Sequence, residues 1–192
     1  MILDLLKQRY SARQFSEKPI SKADLDDILE AGRISPSGGN EQAWHFIVVN
    51  DPELIFSLSD VCFNQSWIRT SPLAILLCVE PVSDERGCRN IQCSKYERLR
   101  EDILNIPKEL FDALNQEEHQ TKIAGTQMSV VALEKGIYST WVSYFDASAV
   151  SQLFKLPSSV QPAEILVFGY PKTTGKMRTK KNTKDIVHYN GY

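Results

Sequence analysis

The stretch SPSGGNEQAWHFIVV, residues 35–49, changes from a loop composition to a strand composition within a few residues. A helical pattern ends near Ile34, and a strand-like run begins at Trp44. Between them lie a proline, two serines, two glycines and an asparagine, which is more than a plain turn requires. Glycine lets backbone N–H groups approach a ligand closely. Taken alone, this loop is equally consistent with a simple connection and with a binding site.

The sequence on either side of the loop predicts a mixture of helices and strands. The predicted strands are WHFIVVN (44–50), LAILLCVE (73–80), IYSTWVSYF (137–145) and AEILVFGY (163–170). Helices are predicted over residues 2–9 and 123–135, and from Ser21, Pro52 and Asp146 onward. Residues 81–122 are predicted to form a helical insertion or lid, and residues 171–192 a C-terminal tail. Without a repeat or a composition shift, the sequence predicts one α+β domain over residues 1–192.

The composition excludes several classes of protein. A net charge of -2 gives no general attraction to nucleic acid or to an anionic membrane surface. No stretch approaches the roughly 20 apolar residues of a membrane span, and no signal peptide is visible, so a cytoplasmic location is expected. The four cysteines do not form a disulfide framework. Cys88 and Cys93 lack a second pair of metal ligands nearby, so no metal site is predicted.

Two polar segments could bind a ligand. In RYSAR (9–13), the alternating residues of an extended chain point to one side, which would present two guanidinium groups and a hydroxyl to a phosphate. Alternatively, the arginines complement the dipole of the preceding helix and are solvated. In FNQSWIRTSP (63–72), Asn64 and Gln65 could bind the edge of a heterocycle or cap the preceding helix.

No catalytic motif accompanies these segments. The sequence has no GxGxxG, no P-loop and no GxSxG. His45 lies in a predicted strand, where a structural role is favoured. If the protein is an enzyme, its reactive group is expected to come from a cofactor.

The polar segments and strands together resemble the nitroreductase family of FMN-dependent NAD(P)H oxidoreductases. The segments that carry the resemblance are RYSARQF, SPSGGNEQAWHFIVV, FNQSWIRTSPLAILLC, GIYSTWVSYFD, AEILVFGYP and DIVHYNGY. They follow the family's order and leave mainly residues 81–122 outside. The resemblance implies a nitroreductase-like α+β fold, in which helices flank a central, mostly antiparallel sheet. It also implies an interlocked homodimer with one FMN at each of two interface sites.

The resemblance also implies which residues contact the flavin. The phosphate and the ribityl chain would be held by Arg9, Tyr10 through its backbone, Ser11, Arg13, Arg178 and Lys180. The isoalloxazine ring would be contacted by Asn64 and by the backbone of Val142, Ser143 and Tyr144. The flavin of the neighbouring subunit would be lined by Pro36, Ser37, Gly38 and Asn40. No catalytic side chain is assigned.

The activity that the resemblance implies has two steps. NADH or NADPH donates a hydride to the flavin and leaves, and a nitroaromatic, a quinone or a related small acceptor then takes the electrons. The alternatives are a flavin-binding protein without turnover and a same-fold enzyme of other chemistry, such as a dehalogenase, a flavin-fragmenting enzyme or a dehydrogenase. Two residues depart from the family pattern, Ala43 in place of a proline and Trp67 in place of a lysine that some members carry.

Overall fold

The computed structural model describes residues 1–80, 88–113, 116–175 and 177–192. Parts of the predicted insertion, residues 81–87 and 114–115, lie outside the described residues, as does position 176 of the tail. Among the described residues, no helix is long and apolar enough to cross a membrane.

Four strands form one antiparallel sheet. They are β1 (Trp44–Val49), β2 (Leu73–Val79), β3 (Tyr138–Val142) and β4 (Gln161–Gly169), in the spatial order β1-β2-β4-β3. Every residue of β2 is buried, because this strand lies inside the sheet and both of its faces are covered. The predicted α+β fold with an antiparallel sheet is confirmed.

Helices pack on both faces of the sheet. The described α-helices are α1 (Ile2–Gln8), α2 (Lys22–Arg33), α3 (Pro52–Val61), α4 (Cys88–Lys95), α5 (Arg100–Asn105), α6 (Lys108–Ala113), α7 (Gln116–Glu134) and α8 (Ala147–Leu153). Their starts follow the sequence signals: the Ser21 hydroxyl accepts from Asp24 N, and the Asp51 and Asp146 carboxylates accept from the first turns of α3 and α8. Such N-caps satisfy backbone donors that the helix itself leaves unpaired.

The core is divided between the two faces of the sheet. Alternate residues of β2 enter different clusters: Ile75 and Leu77 pack with α2 and α7, whereas Leu76 and Cys78 pack with residues of α3 and α8. This follows from the two-residue period of a strand. Burial raises the pKa of the Cys78 thiol to about 12, so the thiol stays protonated at neutral pH. Cys78 is therefore a core residue and not a nucleophile.

The described part of the predicted insertion is helical, and one arginine contacts several of its segments. Arg89 lies in α4, and its guanidinium donates to the backbone carbonyls of Ile103, Leu104 and Ile106. The same guanidinium lies 4.2 Å from the centroid of the Phe111 ring in α6. These contacts organise residues 88–113 around Arg89, whereas the lid function of the segment stays a prediction.

Apolar side chains are exposed near both ends of the chain. Ile2 and Leu3 of α1 are 69% and 58% exposed, and Ile186 and Tyr189 of the tail are 57% and 87% exposed. Most apolar side chains of α1 are thus exposed in the described part of the chain, and Leu5 is half-buried. The interlocked homodimer stays a prediction.

Candidate functional site

A cationic pocket lies between the N-terminal segment and the C-terminal tail. It has a volume of about 650 Å³. Its lining comes from Arg9, Tyr10, Ser11, Ala12, Arg13, Gln14, Thr173, Gly175, Met177, Arg178 and Lys180. All six residues predicted to hold a phosphate and a ribityl chain therefore lie around one cavity, although more than 160 positions separate the two halves of the set.

Backbone pairing brings these two segments together. Ser16 N donates to Tyr170 O over 2.8 Å, and Lys172 N donates to Gln14 O over 2.9 Å. On the other side, the Thr140 hydroxyl of β3 donates to Ala12 O over 2.6 Å. The extended chain after α1 is thus fixed against the end of the sheet, which places residues 9–13 beside the tail.

Tyr10 joins the two halves of the pocket through its side chain. Its hydroxyl donates to Thr173 O over 2.9 Å, and its ring centroid lies 4.6 Å from that of Tyr138. A Cβ at Gly175 would lie only 2.2 Å from Cε2 of Tyr10. The tail backbone therefore passes directly over the ring, and a larger residue at position 175 would require the ring or the tail to shift. The family resemblance had implied a contact through the Tyr10 backbone alone.

The charge of the pocket is strongly positive. Arg9, Arg13, Arg178 and Lys180 line it, and no carboxylate lies among the described lining residues. A cavity lined by charges of one sign concentrates the field and attracts counter-ions. Guanidinium groups can bind two oxygens of a phosphate at once. The pocket is therefore suited to a phosphate group.

A second group of predicted residues meets at the end of β3. The Gln65 side chain donates to Tyr144 O over 2.8 Å, and the rings of Phe63 and Tyr144 stack with their centroids 4.2 Å apart. Asn64 lies between these two contacts in the chain, so it is held close to the segment 142–144. Phe63 and Asn64 both have positive φ, 54° and 57°. Positive φ is uncommon for a phenylalanine and is found in turns and at functional sites.

Arg13 connects the pocket to this second group. Its guanidinium carbon lies 5.5 Å from the centroid of the Trp67 ring, and Trp67 is partly buried against the core. The departure from the family pattern at Trp67 thus replaces a cation with an aromatic ring that contacts one of the pocket's arginines.

The loop that follows α2 does not contribute to the described lining of the cationic pocket. Its Gly38 N donates to the Gln120 side chain of α7, and Gln42 N donates to the Ser37 hydroxyl over 3.0 Å. Gly39 and Asn40 both have φ of 58°, and Gln42 has φ of 53°, so the loop uses three residues in the left-handed region. None of Pro36, Ser37, Gly38 and Asn40 is among the described residues that line the cationic pocket. Their predicted contact with a flavin depends on the predicted dimer.

One polar group next to Ser143 was missed by sequence analysis. The Ser143 hydroxyl donates to Glu164 Oε2 over 2.6 Å, and Lys122 Nζ lies 3.0 Å from Glu164 Oε1. Glu164 is the only charged residue in AEILVFGY and is 5% exposed. A lone carboxylate within an apolar strand was the signal that could have revealed it.

The fold and the site together define an α+β protein with a cationic pocket that suits a phosphorylated cofactor. The family model of the nitroreductase family matches residues 6–170. The chain belongs to the nitroreductase family, which confirms the resemblance inferred from the sequence.

Several named proteins are similar to this chain. An NADH dehydrogenase of Thermus thermophilus is 26% identical over 179 residues, which cover 88% of this chain and 85% of the relative. An FMN reductase (NAD(P)H) of Bacillus subtilis is 22% identical, over 100% of this chain and 74% of the relative. The structure of an FMN-dependent nitroreductase from Clostridium difficile R20291 is 24% identical, with a TM-score of 0.76 and 99% of each chain covered.

Proposed function

We propose that this protein is an FMN-dependent oxidoreductase that takes electrons from NADH or NADPH and reduces nitroaromatics, quinones or related small acceptors. The observation that carries the proposal is the cationic pocket, which joins residues 9–13 to Arg178 and Lys180. Family membership supports the oxidoreductase class. The names of the relatives, an FMN reductase (NAD(P)H), an NADH dehydrogenase and an FMN-dependent nitroreductase, support the choice of cofactor and electron donor.

The pocket has the chemistry that the phosphate of FMN requires. Three guanidinium groups, one ammonium group and the Ser11 hydroxyl offer donors to a dianion. Arg13 would position the phosphate while stacking against Trp67. Tyr10 and Gly175 keep the tail close, so that Arg178 and Lys180 stay at the rim.

The ring of the cofactor would lie towards the end of β3. Asn64 offers an amide to the polar edge of the ring, and the contacts of Gln65 and Phe63 with Tyr144 hold it beside Val142, Ser143 and Tyr144. In the proposed homodimer, the loop with Pro36, Ser37, Gly38 and Asn40 lines the flavin of the neighbouring subunit. The exposed apolar side chains of α1 and of the tail support such a dimer.

The division of labour between cofactor and protein follows from these contacts. When bound, FMN supplies the hydride chemistry. The chain's own residues bind the phosphate, orient the ring and hold the electron donor or the acceptor against one face of the ring. No side chain is assigned as a general acid or base.

The absorption of the purified protein tests the proposal. We expect a yellow protein, or a colourless one that turns yellow with added FMN, and anaerobic bleaching of the flavin by NADH or NADPH. Reoxidation by a panel of nitroaromatics and quinones then identifies the acceptors. A protein that binds no FMN contradicts the proposal, and bound FMN that neither donor bleaches favours a flavin-binding protein without turnover.

Sedimentation tests the proposed homodimer. A stable FMN-bound monomer of 21.8 kDa contradicts the dimer.

Gly175→Val is expected to weaken FMN binding about tenfold, a change of about 1.4 kcal/mol. The new side chain overlaps the Tyr10 ring, so the ring or the tail must shift. Either shift disturbs the Tyr10–Thr173 hydrogen bond that keeps Arg178 and Lys180 beside residues 9–13. Flavin fluorescence quenching measures the dissociation constant. Gly191→Val is the matched control, because a Cβ at Gly191 has no neighbour within 4 Å. Equal constants for the two variants would show that the tail does not complete the site.

A further inference from the structure

A partly buried ion pair lies beside the segment proposed to face the flavin ring. Glu164 is 5% exposed. A buried carboxylate is unfavourable unless an opposite charge and hydrogen-bond donors satisfy it. Both are present here, because Lys122 Nζ lies 3.0 Å from Glu164 Oε1 and the Ser143 hydroxyl donates to Oε2 over 2.6 Å.

Close packing of α7 on the sheet places Lys122 over Glu164. Gly125 lies one turn after Lys122, and a Cβ there would be 2.5 Å from Cδ1 of Leu77. Leu77 is the residue of β2 that pairs with Glu164. The Lys122 side chain is 35% exposed and that of Glu164 is 7% exposed. The ammonium group thus reaches from the surface to a carboxylate inside the protein.

Ser143 connects this pair to the site. It lies between Val142 and Tyr144, which are proposed to approach the central ring of the flavin, so the inference rests on the proposed function. Charges near a flavin ring change its reduction potential, because reduction adds electrons to the ring. An ammonium group stabilises the added negative charge, and a carboxylate opposes it. Because the two groups lie 3.0 Å apart, their opposite effects on the potential of the ring largely cancel.

We propose that Lys122 and Glu164 form a charge-compensated pair that sets the reduction potential of the flavin bound beside Ser143. Glu164 is a positioning residue: it holds the Lys122 ammonium group and the Ser143 hydroxyl and touches no reacting atom. Because the two charges act on the ring with opposite signs, removing either one alone shifts the potential, and the two shifts have opposite directions. A purely structural ion pair gives no such sign reversal.

Single and double substitutions test the proposal through the midpoint potential of bound FMN. Glu164→Gln keeps the size of the side chain and an oxygen that accepts from Ser143, and it removes the negative charge that lies 3.0 Å from the Lys122 ammonium group. The potential is expected to rise by about 30 mV, which is tenfold in the two-electron equilibrium constant. Lys122→Met is expected to lower the potential by a similar amount. The double variant is expected to return towards the wild-type potential, as measured by anaerobic spectroscopic titration against a reference dye.

An exposed pair provides the control. Asp26 and Lys22 of α2 lie 2.6 Å apart on the surface, so Asp26→Asn is expected to leave the potential unchanged. Shifts of the same sign in the two single variants, or no shift in Glu164→Gln, would overturn the inference. If Lys122→Met does not fold, the inference is still tested by the raised potential expected for Glu164→Gln and by the return towards the wild-type potential expected for the double variant. A wild-type protein that binds no FMN contradicts the proposed function itself, whereas bound FMN with unshifted potentials contradicts the inference alone.

Discussion

Arg13→Ala is expected to raise the dissociation constant of FMN about 10- to 100-fold. Arg13 lines the cationic pocket, and a hydrogen bond to a charged group contributes about 1.5–3 kcal/mol, which corresponds to this range of affinity. The guanidinium group also lies 5.5 Å from the centroid of the Trp67 ring, and this contact favours its position at the pocket before the phosphate binds. Titration of the apoprotein with FMN, followed by flavin fluorescence, measures the constant.

Two further variants separate charge from geometry at this position. Arg13→Lys keeps the charge and loses the two-pronged guanidinium, so an intermediate affinity is expected. Arg33→Ala removes an exposed arginine that pairs with Glu30 at 2.6 Å outside the pocket, and the FMN affinity is expected to stay at the wild-type value. If Arg13→Ala binds FMN as tightly as Arg33→Ala does, the phosphate does not lie in this pocket.

Phe168→Ala is expected to lower the free energy of unfolding by about 3–5 kcal/mol, the usual cost of removing a buried aromatic ring. Phe168 is fully buried in β4. It pairs with Leu73 of the neighbouring strand and belongs to the cluster that packs against α2 and α7. At about 2–4 °C per kcal/mol for a chain of this size, the melting temperature is expected to fall by about 6–20 °C. Urea and thermal unfolding of the apoprotein, followed by circular dichroism, measure both quantities.

The same substitution at a surface phenylalanine is the control. Phe56 of α3 is 51% exposed, and its ring lies 3.9 Å from the Arg69 guanidinium carbon. Phe56→Ala therefore removes a surface cation–π contact worth about 0.5–1 kcal/mol. Equal losses for the two variants would mean that the cluster around Phe168 is not a core of the fold.

The strands were the most predictable part of the fold. LAILLCVE is a short apolar run, and residues 73–79 of it form a strand that is buried at every position. Helix starts were equally predictable at Ser21, Asp51 and Asp146, because an N-cap is a local interaction within one turn. The predicted helix over 123–135 was too short at its start, since α7 begins at Gln116. The polar composition of its first turns hid the helix from a search for an apolar face.

The candidate site was predictable in its parts and not in its assembly. RYSAR predicted two arginines and a hydroxyl at the site. Arg178 and Lys180 join these residues only because Gln14 and Ser16 pair with residues 170–172. Tyr10 was expected to contribute its backbone, whereas its side chain holds the tail. These contacts join residues about 160 positions apart, and no local pattern encodes such a distance.

The sequence by itself determined the family, the order of the strands along the chain and the residue types of the site. Those properties depend on local propensity, on the period of apolar residues and on short motifs, all of which are written within a few neighbouring positions. The tertiary structure alone decided that Glu164 is buried and that it meets Lys122 and Ser143. Burial and ion pairing depend on which elements pack together, and here α7 reaches Glu164 only because Gly125 allows it to lie close to β2.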